Sequence, residues 1–235
     1  MSNSYFRFKK FTIQQDRCAM KVCTDSCILG AWTALRVPGV KKILDIGTGT
    51  ALLPLMLAQK SGARIDTIEW DPETCAQASE NIQESPWSDR IHLLEGDARI
   101  YNYPGDYEYM IINPPFFESD LRSPELKKNK AKHEESLTLD ELVSVIKYNL
   151  RSDGGFSILL PYHRTEYFGM LASSTGFFLQ EKLTIRQTPA HAPFRTICQY
   201  GFKKPEHAFS KELTIKNEAG KYSLEFIALM KDYYC

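Results

Sequence analysis

The chain lacks a charge excess of either sign: Lys+Arg and Asp+Glu stand at 29 each. That balance excludes the uniformly basic surface of a non-specific nucleic-acid binder, so any polyanion must be held by a local patch. Long apolar runs are missing too, and none approaches the ~20 residues that cross a bilayer. Met1 to Phe11 has no apolar core of a signal peptide. The six cysteines form no C-x-x-C pair and the five histidines are equally scattered, which argues against a metal centre or a disulfide framework. Internal repeats and linker-like stretches are absent. These absences leave a soluble, cytoplasmic protein with reduced thiols, expected to work without metal, membrane or an obligate protein partner. Its 235 residues suffice for one α/β domain with a good core.

What is present alternates between strand and helix. Strands are expected at Lys42–Ile46, Arg64–Glu69, Ile91–Leu94, Tyr107–Ile112 and Phe156–Leu160. Leu179–Arg186 and Thr196–Lys203 complete a mostly parallel seven-stranded sheet as an antiparallel pair at one edge, with helices on both faces. Helices fall at Ala51–Lys60, from Pro72 to about Glu84, from the capping box Thr138-Leu139-Asp140-Glu141 to Leu150, and at Thr165–Ser174. Gly154-Gly155 reads as a turn. Ahead of this core (41–203), residues 5–13 alternate aromatic and basic and are expected to pair with Cys18–Val22. Thr24, Asp25 or Ser26 then caps a helix. The extension (1–40) and a carboxyl-terminal appendage (204–235), with a short strand at Leu213–Ile215 and a last helix within Tyr222–Tyr234, belong to the same domain.

Chemistry concentrates in two places. In the first, Asp45-x-Gly47-x-Gly49-Thr50-Ala51 joins a strand to a helix, and its glycines let backbone approach a ligand. Glu69 follows 20 residues after Gly49, at a strand end where a carboxylate grips ribose hydroxyls. An acid ahead of the first glycine would repel a pyrophosphate but favour a cationic ligand, as S-adenosylmethionine is. In the second place, a β-prone run stops at Asn113-Pro114-Pro115-Phe116, because two prolines forbid further ladder bonds. The Asn113 amide oxygen, freed carbonyls and an aromatic plate suit a planar substrate bearing an NH2 group. Trp70, like Trp32 and Trp87, reads first as a core or partly buried residue; beside Glu69, covering an adenine is its alternative use.

Asp45–Ala51, Glu69, Asp97 and Asn113–Phe116 resemble the motifs of class I S-adenosylmethionine-dependent amino-methyltransferases, whose fold is Rossmann-like. The resemblance implies cofactor contacts from Asp45, Gly47 and Gly49, ribose contacts from Glu69 and an adenine contact from Asp97. It makes Asn113, Pro114 and Phe116 the catalytic set, with Pro115 beside the substrate. Ala51 departs from it, standing where many relatives carry glycine. Met20–Ser26, Leu29–Trp32, Lys132–Leu137 and Leu229–Tyr234 narrow the likeness to the bacterial tRNA(Val) adenine-N6-methyltransferases that modify position 37. That family adds Thr24 and Asp25 to the cofactor set and makes a tRNA the expected partner. Lys127, Lys128, Lys130, Lys132 and His133 are then candidate phosphate contacts, although a lysine run is also what a solvated face looks like. Arg7-Lys9-Lys10 is a second basic candidate. A methyltransferase of protein glutamine or another nucleobase, and a non-catalytic RNA-binding module, remain open on the residues alone.

Overall fold

The computed structural model describes residues 3–18, 20–114 and 137–234. At the amino terminus β1 (Tyr5–Arg7) pairs antiparallel with β2 (Thr12–Gln14). β1 thus takes Thr12–Gln14 as its partner, where Cys18–Val22 was expected. Phe8 and Phe11 are buried, and the Phe8 N–H donates to the Phe11 carbonyl at 2.9 Å, so the chain reverses at Lys9-Lys10. Helix α1 (Thr24–Ala34) has Cys23 as its N-cap, without a side-chain capping bond. Thr24, Asp25 and Ser26 therefore lie inside the first turn rather than at the cap, and their side chains are available elsewhere.

Regular alternation follows: β3 (Lys42–Ile46), α2 (Leu52–Ala58), β4 (Arg64–Glu69), α3 (Pro72–Gln83), β5 (Ile91–Glu95) and β6 (Tyr107–Ile112). Beyond Pro114 the described chain resumes with α4 (Leu139–Asn149), β7 (Leu150–Pro161), α5 (Thr165–Ser174), β8 (Phe178–Arg186), β9 (Arg195–Gly201), β10 (Phe209–Thr214) and α6 (Leu224–Met230). Helix starts follow local chemistry. Asp71 accepts the Thr74 N–H at 2.8 Å ahead of Pro72, and Thr138 and Glu141 satisfy each other's backbone N–H groups as a capping box. Each such cap is worth ~1 kcal/mol. Gly154 and Gly155 are not a turn but part of β7: a Cβ on Gly154 would stand 2.9 Å from the Glu108 carbonyl oxygen, so only glycine lets the two strands approach there.

The main sheet runs β10-β8-β9-β7-β6-β3-β4-β5. β3 to β7 are parallel neighbours, and β9 is antiparallel to both β7 and β8. It has eight strands rather than the expected seven, because β10 adds parallel to β8 at the edge and buries Leu213. One face packs on α1, α2 and the terminal segments through Ile28, Leu29, Leu55, Met56 and Tyr233. The other packs on α4 and α5 through Leu142, Ile146, Phe156 and Phe168. The chain leaves β3 toward β4 and β5, then returns to β6 and β7 on the other side. The carboxyl ends of β3 and β6 therefore flank a topological switch point, the crevice where open α/β sheets hold ligands.

Candidate active site

Strand register sets four residues level at that crevice. Ile46 is paired with Ile112 on one side and Ile68 on the other, and Ile68 with Leu94. The next residue on each strand, Gly47, Asn113, Glu69 and Glu95, then stands on one row, with neighbours about 4.8 Å apart. Gly47 (φ 78°) and Gly49 (φ 53°) take left-handed backbone, and a Cβ on either would meet nothing within 4 Å, so the turn borders open space. Ala51 adopts φ 64° as well, a conformation glycine would take without strain.

Asp45 is completely buried at the base of this turn. Its Oδ2 accepts the Thr48 and Thr67 hydroxyls at 2.7 Å each, while its Oδ1 is enclosed and has no partner. Burial pushes its pKa up to about 6 against those two bonds, and the Glu69 charge adds to the rise. Glu69 ties the site together through backbone: Oε2 accepts the Gly49 N–H at 3.0 Å, and Oε1 accepts those of Trp70 and Asp71 at 3.0 and 3.2 Å. Three of the roughly four lone-pair positions of a carboxylate are thereby used. Trp70 beside it is 57 % exposed. Asp97 is held by Arg99, whose Nε and Nη2 reach its carboxylate at 2.6 to 2.9 Å and keep its pKa below the usual range. An adenine amine approaching Asp97 would share it with that guanidinium.

At the end of β6 the Asn113 Nδ2 donates to Ser26 Oγ at 2.9 Å, and the Asn113 Oδ1 is enclosed without a partner. Ser26 also contacts Cys23 Sγ at 2.8 Å. Asp25 accepts the Ser26 N–H at 3.1 Å and the Arg195 Nε at 2.9 Å, so the start of α1 is pinned over the crevice by the first residue of β9. Thr24 opens that turn, partly buried. Ser26 and Arg195 were not among the candidates; Ser26 lies in the quoted stretch Met20–Ser26, whereas nothing around Arg195 marks it. Pro115, Phe116, Lys127, Lys128, Lys130, Lys132 and His133 lie outside the described residues. Lys9 donates to the Lys231 carbonyl, and Phe11 packs edge-on against Trp87. Trp87 precedes β5, so the Lys9-Lys10 tip sits at the strands' amino ends, away from Asn113.

Among the described residues eight buried side-chain atoms have no hydrogen-bond partner, and two of them, Asp45 Oδ1 and Asn113 Oδ1, are acceptors at the carboxyl ends of β3 and β6, beside the crevice. Each costs about 1–3 kcal/mol if nothing ever fills it, and folded proteins keep few of them. Asp45 and Glu69 are carboxylates beside the glycine turn, and the donors that reach them are the Thr48 and Thr67 hydroxyls and the backbone N–H groups of Gly49, Trp70 and Asp71. The donor set therefore fits a ligand with ammonium and hydroxyl donors and no phosphate, as S-adenosylmethionine is. Among the described residues no group of three His, Cys, Asp or Glu could hold a metal ion, and no helix is long and apolar enough to cross a membrane.

Fold and site together define a methyltransferase, and residues 31–165 match the family model described as the methyltransferase small domain. A predicted O-methyltransferase from Agrobacterium tumefaciens shares the fold with a TM-score of 0.69, at 15% identity, over 89% of this chain and 96% of that one. The chain belongs to the tRNA1(Val) (adenine(37)-N6)-methyltransferase family. It is 38% identical to the protein of that name from Bacteroides fragilis, across 100% of this chain and 99% of the relative. With the one from Dyadobacter fermentans it shares 41%, across 99% and 98%.

Proposed function

We propose that the chain transfers a methyl group from S-adenosylmethionine to the exocyclic N6 of adenine 37 in a valine tRNA in the cytoplasm, the reaction its relatives are named for. The observation that carries this reading is the buried, unpartnered Oδ1 of Asn113 at the switch point. When bound, the cofactor supplies an electrophilic methyl, whose bond to sulfur breaks with its electron pair as the new nitrogen–carbon bond forms. Asp45, Gly47, Gly49 and Glu69 are the residues that hold it, with Asp97, Thr24 and Asp25 at the margin.

An aromatic amine is a weak nucleophile because its lone pair is delocalised into the ring. Asn113 Oδ1 and the Pro114 carbonyl, each accepting one N–H, hold the amine so that its lone pair faces the methyl. Asn113 Oδ1 has no partner within the protein, so the amine's hydrogen meets an acceptor that is not already committed. Catalysis is then alignment and desolvation rather than strong general base chemistry, and the surplus proton leaves the nitrogen to water. The adenine must leave its stack to reach this pocket, and Phe116, following the motif, serves as the plate it rests on. Incubating the protein with radiolabelled cofactor and unmodified tRNA tests the reading. Label recovered as N6-methyladenosine supports it; label that enters protein glutamine and survives ribonuclease overturns it.

A further inference from the structure

An amide side chain has two chemically opposite ends, and nothing in its shape decides which one faces the substrate. Asn113 is useful to an incoming amine only if its oxygen points into the crevice; the NH2 end would push the amine's hydrogens away. The end that faces Ser26 therefore matters as much as the presence of asparagine. Ser26 Oγ has one O–H donor and two acceptor positions. It contacts Cys23 Sγ at 2.8 Å and the Asn113 Nδ2 at 2.9 Å. The hydrogen between Cys23 Sγ and Ser26 Oγ can sit on either atom. Where Ser26 gives its hydrogen to the sulfur it can only accept from Asn113, which matches the observed contact of the Asn113 NH2 end with Ser26 and an Oδ1 without a partner.

Ser26 is itself held. It is buried in the first turn of α1, its backbone N–H donates to Asp25 Oδ1, and Asp25 is anchored by Arg195 across the sheet. We infer that Ser26 is a positioning residue for methyl transfer: it selects the amide orientation of Asn113 that presents an acceptor to the substrate amine. This rests on the reading that Asn113 receives that amine.

The choice of end has a consequence that separates orientation from simple packing. A carboxylate has two acceptor ends, so in an Asn113→Asp background there is nothing left to select, and Ser26 can rotate to donate. Ser26→Ala should lower kcat about 10- to 50-fold with KM for cofactor and tRNA within about two-fold, since neither binding surface is touched. The same substitution in the Asn113→Asp background should cost less than about three-fold. If Ser26→Ala does not accumulate as folded protein, Ser26→Cys keeps the size, loses the strong acceptor and carries the same expectation. Wild-type kcat in the single variant, a raised KM with kcat kept, or an equal loss in both backgrounds would each overturn the inference. An inactive Asn113→Asp bears on the underlying reading, in which the position needs only an acceptor, and the single Ser26 variants then carry the test of the inference. Full activity of Asn113→Ala would instead sink the underlying reading, and the two failures are thereby told apart.

Discussion

Replacing Asp45 with asparagine should stabilise the protein near neutral pH, relative to acid, while removing its affinity for the cofactor. Asp45 is completely buried, and burial lifts its pKa from an ordinary 3.8 to about 6. Below 3.8 the group is protonated in both folded and unfolded chains and contributes nothing. Between about 4 and 6 the folded state keeps a proton that the unfolded state has lost, so the wild type loses stability as pH rises. Above 6 the penalty is complete, at about 3 kcal/mol. Asparagine retains an oxygen for the Thr48 and Thr67 hydroxyls, and the cost of its buried NH2 does not vary with pH. Urea unfolding of the cofactor-free proteins at pH 4 and pH 7.5 reads the difference. The gap should move by about 3 kcal/mol in favour of Asp45→Asn at the higher pH. A gap that stays constant refutes the argument, because the buried carboxylate would then carry no penalty for a cationic ligand to relieve. In the wild type the same linkage makes cofactor affinity rise with pH through about 6, which calorimetry checks.

Asn113→Ala should leave cofactor affinity nearly unchanged and cost about 2–4 kcal/mol of transition-state stabilisation, or ~10²–10³ in rate; steady-state kinetics within a few-fold of wild type would contradict its assignment. Glu69→Ala removes three backbone bonds as well as the expected ribose contacts, so both stability and cofactor binding should fall by about 2–4 kcal/mol, measured by unfolding and by calorimetry. Replacing Lys127, Lys128, Lys130 and Lys132 with alanine should weaken tRNA binding without moving cofactor affinity, and lower the log–log salt slope by about 0.7–0.9 per lost phosphate contact. A wild-type slope would make the run a solvated face.

Much of the fold was legible because its signals are local. The strand-turn-helix at Asp45–Ala51, the proline stop after Asn113 and the Thr138–Glu141 capping box each depend on neighbours in the chain, and each stands where it was expected. Misreadings occurred where tertiary packing outweighed local preference. The hairpin closed early because Phe8 and Phe11 turn into the core, and Gly154-Gly155 stayed in a strand because β6 needs room beside it. In the candidate site, residue types with one strong use, such as Asp45 and Asn113, could be picked out from their motifs, and both stand at the switch-point crevice. Ser26 and Arg195 could not be picked out: a serine in a helix's first turn reads as a cap, and an arginine at a strand start reads as surface. Their contacts bridge 87 and 170 residues of separation, to Asn113 and Asp25, that only folding closes.

The most direct test of the central claim is to methylate one valine tRNA transcript with purified protein and locate the product. Ribonuclease fragments analysed by mass spectrometry should show a single added methyl, on the adenine at position 37. The Asn113→Ala protein should leave that fragment unmodified. A methyl on another nucleotide, or an equal yield from the variant, would contradict the account.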